Sequence, residues 1–69
     1  MLGEQEATVA RTRAFDLHGV TYHDVELKLS DGSSVDGRLG PEAVPDGLQA
    51  GERVLATLAA GLLISIRRP

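Results

Sequence analysis

The sequence predicts an all-β fold, namely a small five-stranded antiparallel barrel with at most one short helical turn. Val25, Leu27 and Leu29 alternate with polar residues, which is the period-two pattern of a strand with one buried face. Asp31-Gly32 lies between this run and a second alternating run, and an Asp-Gly pair in that position is a strong hairpin signal. A further apolar segment near the C-terminus supplies the last two strands. Closing the sheet into a barrel would leave few exposed edges.

The first strand is predicted over Ala7–Leu17. Under strict alternation Val9 and Phe15 share one face of that strand, so both are expected in the core. Arg11 and Arg13 have the same parity. The strand must therefore bend from the core to the rim of the barrel.

His18-Gly19 is predicted to form a turn or bulge, because glycine adopts positive φ angles without steric cost. The second strand follows over Tyr22–Leu29, and the third is expected over Ser34–Leu39. Between them, Asp31-Gly32 is expected to form a type I′ turn, which needs positive φ at both central residues. These residues therefore form the first predicted hairpin.

A loop rich in glycine and proline comes next. Pro41 favours a single helical turn that runs to Val44, since proline is well placed at the first helical position. Later in the loop Gly51 is expected to take a backbone conformation that glycine favours. Leu48 and Val54, on either side of that glycine, are expected to enter the core.

The C-terminal segment is predicted to be a second hairpin, with strands over Arg53–Leu58 and Leu62–Arg67 and a turn at residues 59–61. The alternative is a helix over residues 54–68, because Leu and Ala favour helices. The central Gly61 and the β-rich end of the segment favour the hairpin.

The composition limits the classes of function. The chain has 69 residues and a net charge of -3, with no cysteine, so neither a disulfide framework nor a cysteine zinc site is possible. We expect a flexible tail at residues 1–6 and one domain at residues 7–69. The acidic start and the lack of a long apolar run predict a cytoplasmic protein with no membrane segment.

No catalytic residue, metal site or cofactor is predicted, and the chain is not expected to be an enzyme. The serines near Asp31 are typical of turns, and no Gly-x-Ser-x-Gly motif is present. His18, His23, Asp16 and Asp24 carry groups that ligate metals, but their spacing matches no closed site. The two histidines are expected to be polar rim residues.

The candidate residues for contacts with nucleic acid or small anions are Arg11, Arg13, Arg38, Arg67 and Arg68. Arginine binds phosphate through paired N–H groups, so a cluster of these side chains would form a phosphate-binding patch. The alternative is that they are solvated residues on strand edges, where charge discourages edge pairing. The net negative charge and the shortage of surface aromatic residues disfavour nucleic acid as a partner.

A homodimer is predicted through the last strand, which is apolar on two faces. The candidate residues for self-association are Leu62, Leu63, Ile64 and Ile66. Strict alternation places Leu63 opposite the other three, so one of the two apolar faces needs cover from a second subunit. The alternative is cover from the loop at residues 40–51.

The order of these signals resembles two families. The His18-Gly19 turn, the Asp31-Gly32 turn and the Leu48-x-x-Gly51-Glu52-x-Val54 element resemble the TOBE domain, the small barrel attached to ABC-transporter ATPases and molybdate-binding proteins. The same strands resemble the OB-fold of bacterial translation initiation factor 1. The resemblance implies a barrel of OB or SH3-like type. It implies small-anion binding in the first case and nucleic-acid binding in the second.

The function predicted from the sequence is therefore a non-catalytic binding or interaction module with an unidentified protein partner. A nucleic-acid-binding OB-type domain and a small-anion-binding barrel remain as alternatives.

Overall fold

The computed structural model describes residues 2–69 and confirms the all-β class. One 3₁₀ turn, at Pro41–Ala43, follows the third strand and confirms the predicted helical turn. The strands are β1 (Leu2–Leu17), β2 (Val20–Leu29), β3 (Ser34–Leu39), β4 (Arg53–Ala59) and β5 (Leu62–Arg67). Every neighbouring pair is antiparallel, in the order β3-β2-β1-β4-β5. The described residues contain no helix of the length and apolarity that crossing a membrane requires.

β1 begins before the predicted start of the first strand. Residues 1–6 were expected to form a flexible tail, but Leu2–Glu6 pair with β4, in a register that places Leu2 opposite Ala59 and Glu6 opposite Leu55. Met1 lies outside the described residues. The segment has no alternating apolar pattern, and its strand is held by ladder hydrogen bonds to a distant part of the chain. Two ion pairs add to the attachment of this segment. Glu4 contacts Arg67 of β5, and Glu6 contacts Arg53 of β4.

A β-bulge at Ala10 changes the parity of β1. The pairing with β2 shifts between Val9 and Arg11, so Val9 faces the core whereas Arg11 lies opposite Glu26 on the other face of the sheet. Phe15 follows Arg11 at even spacing and is therefore on the outer face as well. The prediction that Phe15 is a core residue was wrong, because it assumed one parity along the whole strand.

The loop before β4 is held against this bulge. The Gly51 N–H donates to the Val9 carbonyl at 2.8 Å, and the Val9 N–H donates to the Glu52 carbonyl at 2.9 Å. Gly51 has a φ of 93°, which confirms the predicted special backbone conformation. Leu48 packs against the core and Val54 is buried in it, also as predicted.

The core lies on one side of the curved sheet and contains only aliphatic side chains. Its buried members are Ala7, Val9, Val25, Leu27, Leu29, Leu39, Val44, Val54, Ala56, Leu58, Leu63 and Ile66. The sheet curls until its two edge strands meet, since a Cβ placed on Gly37 of β3 would lie 3.4 Å from the Leu63 Cβ of β5. β3 and β5 remain the edges of the sheet, so hydrogen bonds do not close the barrel.

Two of the turns have the geometry of two-residue hairpins. His18-Gly19 has φ angles of 52° and 80°, and Ala60-Gly61 has φ angles of 51° and 79°. The second turn joins β4 to β5, so the predicted hairpin, and not the helix, forms there. The Asp31-Gly32 turn differs from the predicted type I′ turn, because only Gly32 has a positive φ. Asp31 instead accepts hydrogen bonds from the Ser33 N–H and hydroxyl, which makes it a longer Asx-type turn.

Candidate binding face

Polar and aromatic side chains cover the outer side of β1, β2 and β3. On β2 the residues at odd positions from Val25 to Leu29 are buried, so the even-numbered ones point away from the core. The cross-strand register arranges these outward side chains in three rows. We call the set the arginine–aromatic face; it consists of Phe15 and Tyr22 in the first row, Arg13, Asp24 and Arg38 in the second, and Arg11, Glu26 and Asp36 in the third.

The first row is an aromatic pair near the β1–β2 turn. The rings of Phe15 and Tyr22 are 6.1 Å apart between centroids, with an angle of 27° between their planes. Two guanidinium groups lie over the Phe15 ring: the Arg38 Cζ is 4.6 Å from its centroid and the Arg13 Cζ is 5.6 Å from it. Both distances are within the range of cation–π contacts. The row therefore offers flat π surfaces next to positive charge.

The second row places one carboxylate between two guanidinium groups. Arg38 donates to Asp24 through two bonds, with Nε 2.9 Å from Oδ1 and Nη2 3.3 Å from Oδ2. The hydrogen bond from Arg38 lowers the pKa of Asp24, and the charges of Arg38 and Arg13 add to this effect against a smaller opposing effect of desolvation. The same bond raises the pKa of Arg38. Asp24 is therefore ionised at neutral pH.

Arg13 differs from the other two arginines of the face in that no described carboxylate contacts it. Arg11 contacts Glu26, with Nη2 2.9 Å from Oε1, and Arg38 contacts Asp24. Within residues 2–69 no side-chain hydrogen bond or ion pair involves Arg13. Its guanidinium group is held only by the Phe15 ring, so its N–H donors are available to a ligand.

The face is a shallow open depression rather than an enclosed pocket. Its volume is about 840 Å³, and the arginines and carboxylates of the second and third rows line it. Ala50, from the loop before β4, forms part of its border. An extended ligand lying across the strands fits such a shape better than a small molecule that must be enclosed.

The structure separates the five arginines that the sequence analysis grouped. Arg11, Arg13 and Arg38 share the arginine–aromatic face. Arg67 is the last residue of β5 and Arg68 follows it, and both have their own carboxylate partners. Arg67 donates to Glu4 at 2.6 and 2.9 Å, and Arg68 donates to Glu52 at 2.9 and 3.3 Å. These hydrogen bonds lower the pKa of both glutamates. The two C-terminal arginines thus connect the end of the chain to β1 and to the loop before β4.

The four residues predicted for self-association divide into two pairs. Leu63 and Ile66 are only 8% and 4% exposed and belong to the core, whereas Leu62 and Ile64 are 68% and 45% exposed. An irregularity in the β4–β5 pairing next to Thr57 shifts the parity of β5, so strict alternation assigns its faces wrongly. Leu63 is buried within the chain, where it lies against Gly37 of β3, and the Pro41–Ala43 turn of the loop at residues 40–51 also packs against β5. Only Leu62 and Ile64 remain as surface candidates for self-association.

The two aspartates near the first turn have hydrogen-bond partners within the chain. Asp16 accepts a hydrogen bond from Thr21 at 2.7 Å, and Asp24 is bound by Arg38. In the part of the chain that the structure describes, no three His, Asp or Glu side chains are grouped as metal ligands would be. Ser33 bonds to Asp31 within its turn and has no histidine partner in the described hydrogen bonds.

The sequence analysis missed the aromatic row. The signal that could have revealed it was the shared parity of Val9 with Arg11 and Arg13, because a single bulge between an apolar residue and the arginines resolves that conflict. The same bulge moves Phe15 to the surface. The three arginines of the face were predicted as candidates, but their aromatic neighbours were not.

The fold and the face together define a small all-β domain with an open five-stranded sheet and one polar, aromatic surface. No family model, curated protein or solved structure matches this chain. The resemblance to TOBE domains and to bacterial translation initiation factor 1 therefore remains an expectation from the sequence.

Proposed function

We propose that the protein is a non-catalytic binding module and that the arginine–aromatic face is its ligand-binding surface. The observation that carries this proposal is the position of the half-buried Phe15 and Tyr22 rings beside Arg13 on the outer side of the sheet, away from the core. Planar rings and the Arg13 guanidinium group stabilise the sheet through their cross-strand contacts, and these contacts leave the Arg13 N–H groups unused. They are groups with which proteins contact ligands.

Single-stranded nucleic acid is the ligand class that this geometry supports best. Bases stack on aromatic rings and on arginine planes, while arginine N–H groups bind the phosphates. The sequence raised two objections, the net negative charge and the shortage of surface aromatic residues, and the outward position of Phe15 answers the second. A five-stranded, partly open barrel with its ligand face on the second and third strands is also the arrangement of OB-folds. We propose this OB-type assignment, and a cytoplasmic location, together with the function.

The net charge of -3 predicts weak binding to a polyanion. The three arginines of the face are balanced by three carboxylates, so the face has no broad excess of positive charge. A protein partner is the competing interpretation, because Tyr, Phe and Arg are also enriched at protein interfaces. Anion binding, as the TOBE resemblance implies, is the third.

The first prediction compares Arg13→Ala with Arg53→Ala. Both substitutions remove one exposed strand arginine and the same charge, but Arg53 lies outside the face and pairs with Glu6. A fluorescently labelled single-stranded 12-nucleotide DNA or RNA of mixed sequence, titrated by anisotropy at low salt, should bind wild type. Arg13→Ala should weaken binding about tenfold, by analogy with losses of 1–3 kcal/mol per lost base or phosphate contact. Arg53→Ala should change it less than twofold.

Equal effects of the two substitutions would show that the interaction follows net charge and not the face. If wild type binds neither oligonucleotide, the nucleic-acid assignment is wrong and a protein partner becomes the better candidate. The anion alternative has its own measurement, since molybdate, sulfate or phosphate should then raise the melting temperature, and the stabilisation should grow with anion concentration as RT ln(1 + [L]/Kd).

A further inference from the structure

The second row of the face has one more positive charge than negative charge. Arg13, Asp24 and Arg38 lie side by side on β1, β2 and β3, and Asp24 is ionised beside both guanidinium groups. The row can therefore neutralise one unit of negative charge. It cannot neutralise two without losing the bidentate contact between Arg38 and Asp24.

Arg38 is held in place before any ligand arrives. Asp24 occupies Nε and one N–H of Nη2, and the Phe15 ring lies against the guanidinium group. A guanidinium group has five N–H donors, so three remain free on the side away from Asp24. Because Asp24 and Phe15 already restrict this side chain, little further conformational entropy is lost when its free donors bind a phosphate.

The third row has the opposite charge balance. Glu26 and Asp36 are directly paired across β2 and β3, and Arg11 is the only cation of that row. This row therefore has one more negative charge than positive charge, and it would repel a phosphate placed next to the second row. The face therefore has one anion-accepting row between an aromatic row and an acidic row.

We propose that the second row binds a single phosphodiester group, and that Asp24 limits its capacity to one negative charge. This inference rests on the proposed binding of single-stranded nucleic acid. A base next to that phosphate stacks on the aromatic row, and the acidic row excludes the following phosphate. A phosphodiester with one charge matches the row, whereas a phosphomonoester, with a charge of about -1.5 to -2 at neutral pH, exceeds it.

The test is the salt dependence of binding in three proteins whose second rows have different charges. For a single strand, log K falls by about 0.7 per unit of log salt for each phosphate neutralised. Wild type should therefore show a slope of about -0.7 with the labelled 12-nucleotide strand. Asp24→Asn raises the row charge by one, so its slope should be about twice as steep and its binding tighter at low salt. Arg38→Ala reduces the row charge to zero and should flatten the slope.

Glu6→Gln is the matched control. It also removes one negative charge and also releases an arginine, Arg53, but outside the face. Its slope should equal that of wild type. Thermal unfolding of all four proteins at the binding salt concentrations verifies that each is folded.

The outcomes separate the two proposals. If wild type does not bind the oligonucleotide, the proposed function fails. If wild type binds but Asp24→Asn leaves the slope unchanged, or Glu6→Gln steepens it equally, the function stands and the charge-limiting role of Asp24 is wrong.

Discussion

Ala60 is the residue with the clearest backbone cost. It is the first residue of the turn between β4 and β5, and its φ of 51° lies in the left-handed region that alanine rarely adopts. His18 occupies the equivalent position in the β1–β2 turn with a φ of 52°. Asparagine is the preferred residue at such a position, because a type I′ turn needs positive φ and Asn tolerates it. The local sequence of this turn is therefore not optimal for stability.

We expect Ala60→Asn to stabilise the protein by about 0.5–1 kcal/mol, since part of the left-handed penalty of about 1–2 kcal/mol is removed. For a domain of this size that corresponds to a rise in melting temperature of about 2–8 °C. Ala50→Asn is the control, because Ala50 is exposed in a loop and is not among the residues with positive φ. A gain of equal size in both variants would contradict the backbone explanation.

At the level of elements, the contact between β3 and β5 decides how far the sheet curls. These edge strands meet where Gly37 faces the Leu63 side chain. The missing Cβ of Gly37 allows that approach, and an added Cβ would still be at ordinary contact distance, 3.4 Å from the Leu63 Cβ and 3.6 Å from its Cδ2. The barrel gap thus has room for one methyl group.

Gly37→Ala should therefore stabilise the fold by about 0.4–1 kcal/mol, because alanine fills the gap and restricts the unfolded chain. Gly51→Ala should destabilise it by about 1 kcal/mol or more, since Gly51 has a φ of 93° beside the bulge of β1. Urea unfolding of the two variants and wild type gives both values. Destabilisation by Gly37→Ala would mean that the added methyl group does not fit between β3 and β5.

At the level of the whole molecule, the exposed large apolar side chains within residues 3–69 lie in two places. Leu17 and Val20 flank the His18-Gly19 turn, and Leu62 and Ile64 lie on β5. A chain of 69 residues buries a limited core, so association of two copies remains an attractive source of stability. A substitution at Leu63 cannot test for this association, because a charge at Leu63 would disrupt the core whether or not a dimer forms.

The dimer prediction is therefore tested at Leu62. If β5 forms the contact, the melting temperature of wild type should rise with protein concentration, and Leu62→Glu should abolish that dependence without lowering stability at low concentration. Leu17→Glu is the control, because Leu17 is also an exposed leucine but lies at the other apolar location. Sedimentation of wild type as a monomer at high micromolar concentration would exclude the homodimer.

The sequence by itself determined the all-β class, the two outer hairpins, the 3₁₀ turn after Pro41 and the role of Gly51 in the last loop. Each of these depends on a few consecutive residues, since alternation and turn chemistry are local properties. It also identified Arg11, Arg13 and Arg38 as candidate contact residues.

Only the tertiary structure decided which side of the sheet each residue faces. The bulge at Ala10 depends on the pairing of β1 with β2 and on the loop that bonds to Val9, so no local pattern predicts it. The strand at Leu2–Glu6 forms because β4, about fifty residues further along the chain, offers its backbone to it. One extra residue in a strand reverses the orientation of every side chain after it. That reversal placed Phe15 on the surface and, with it, the aromatic row of the binding face.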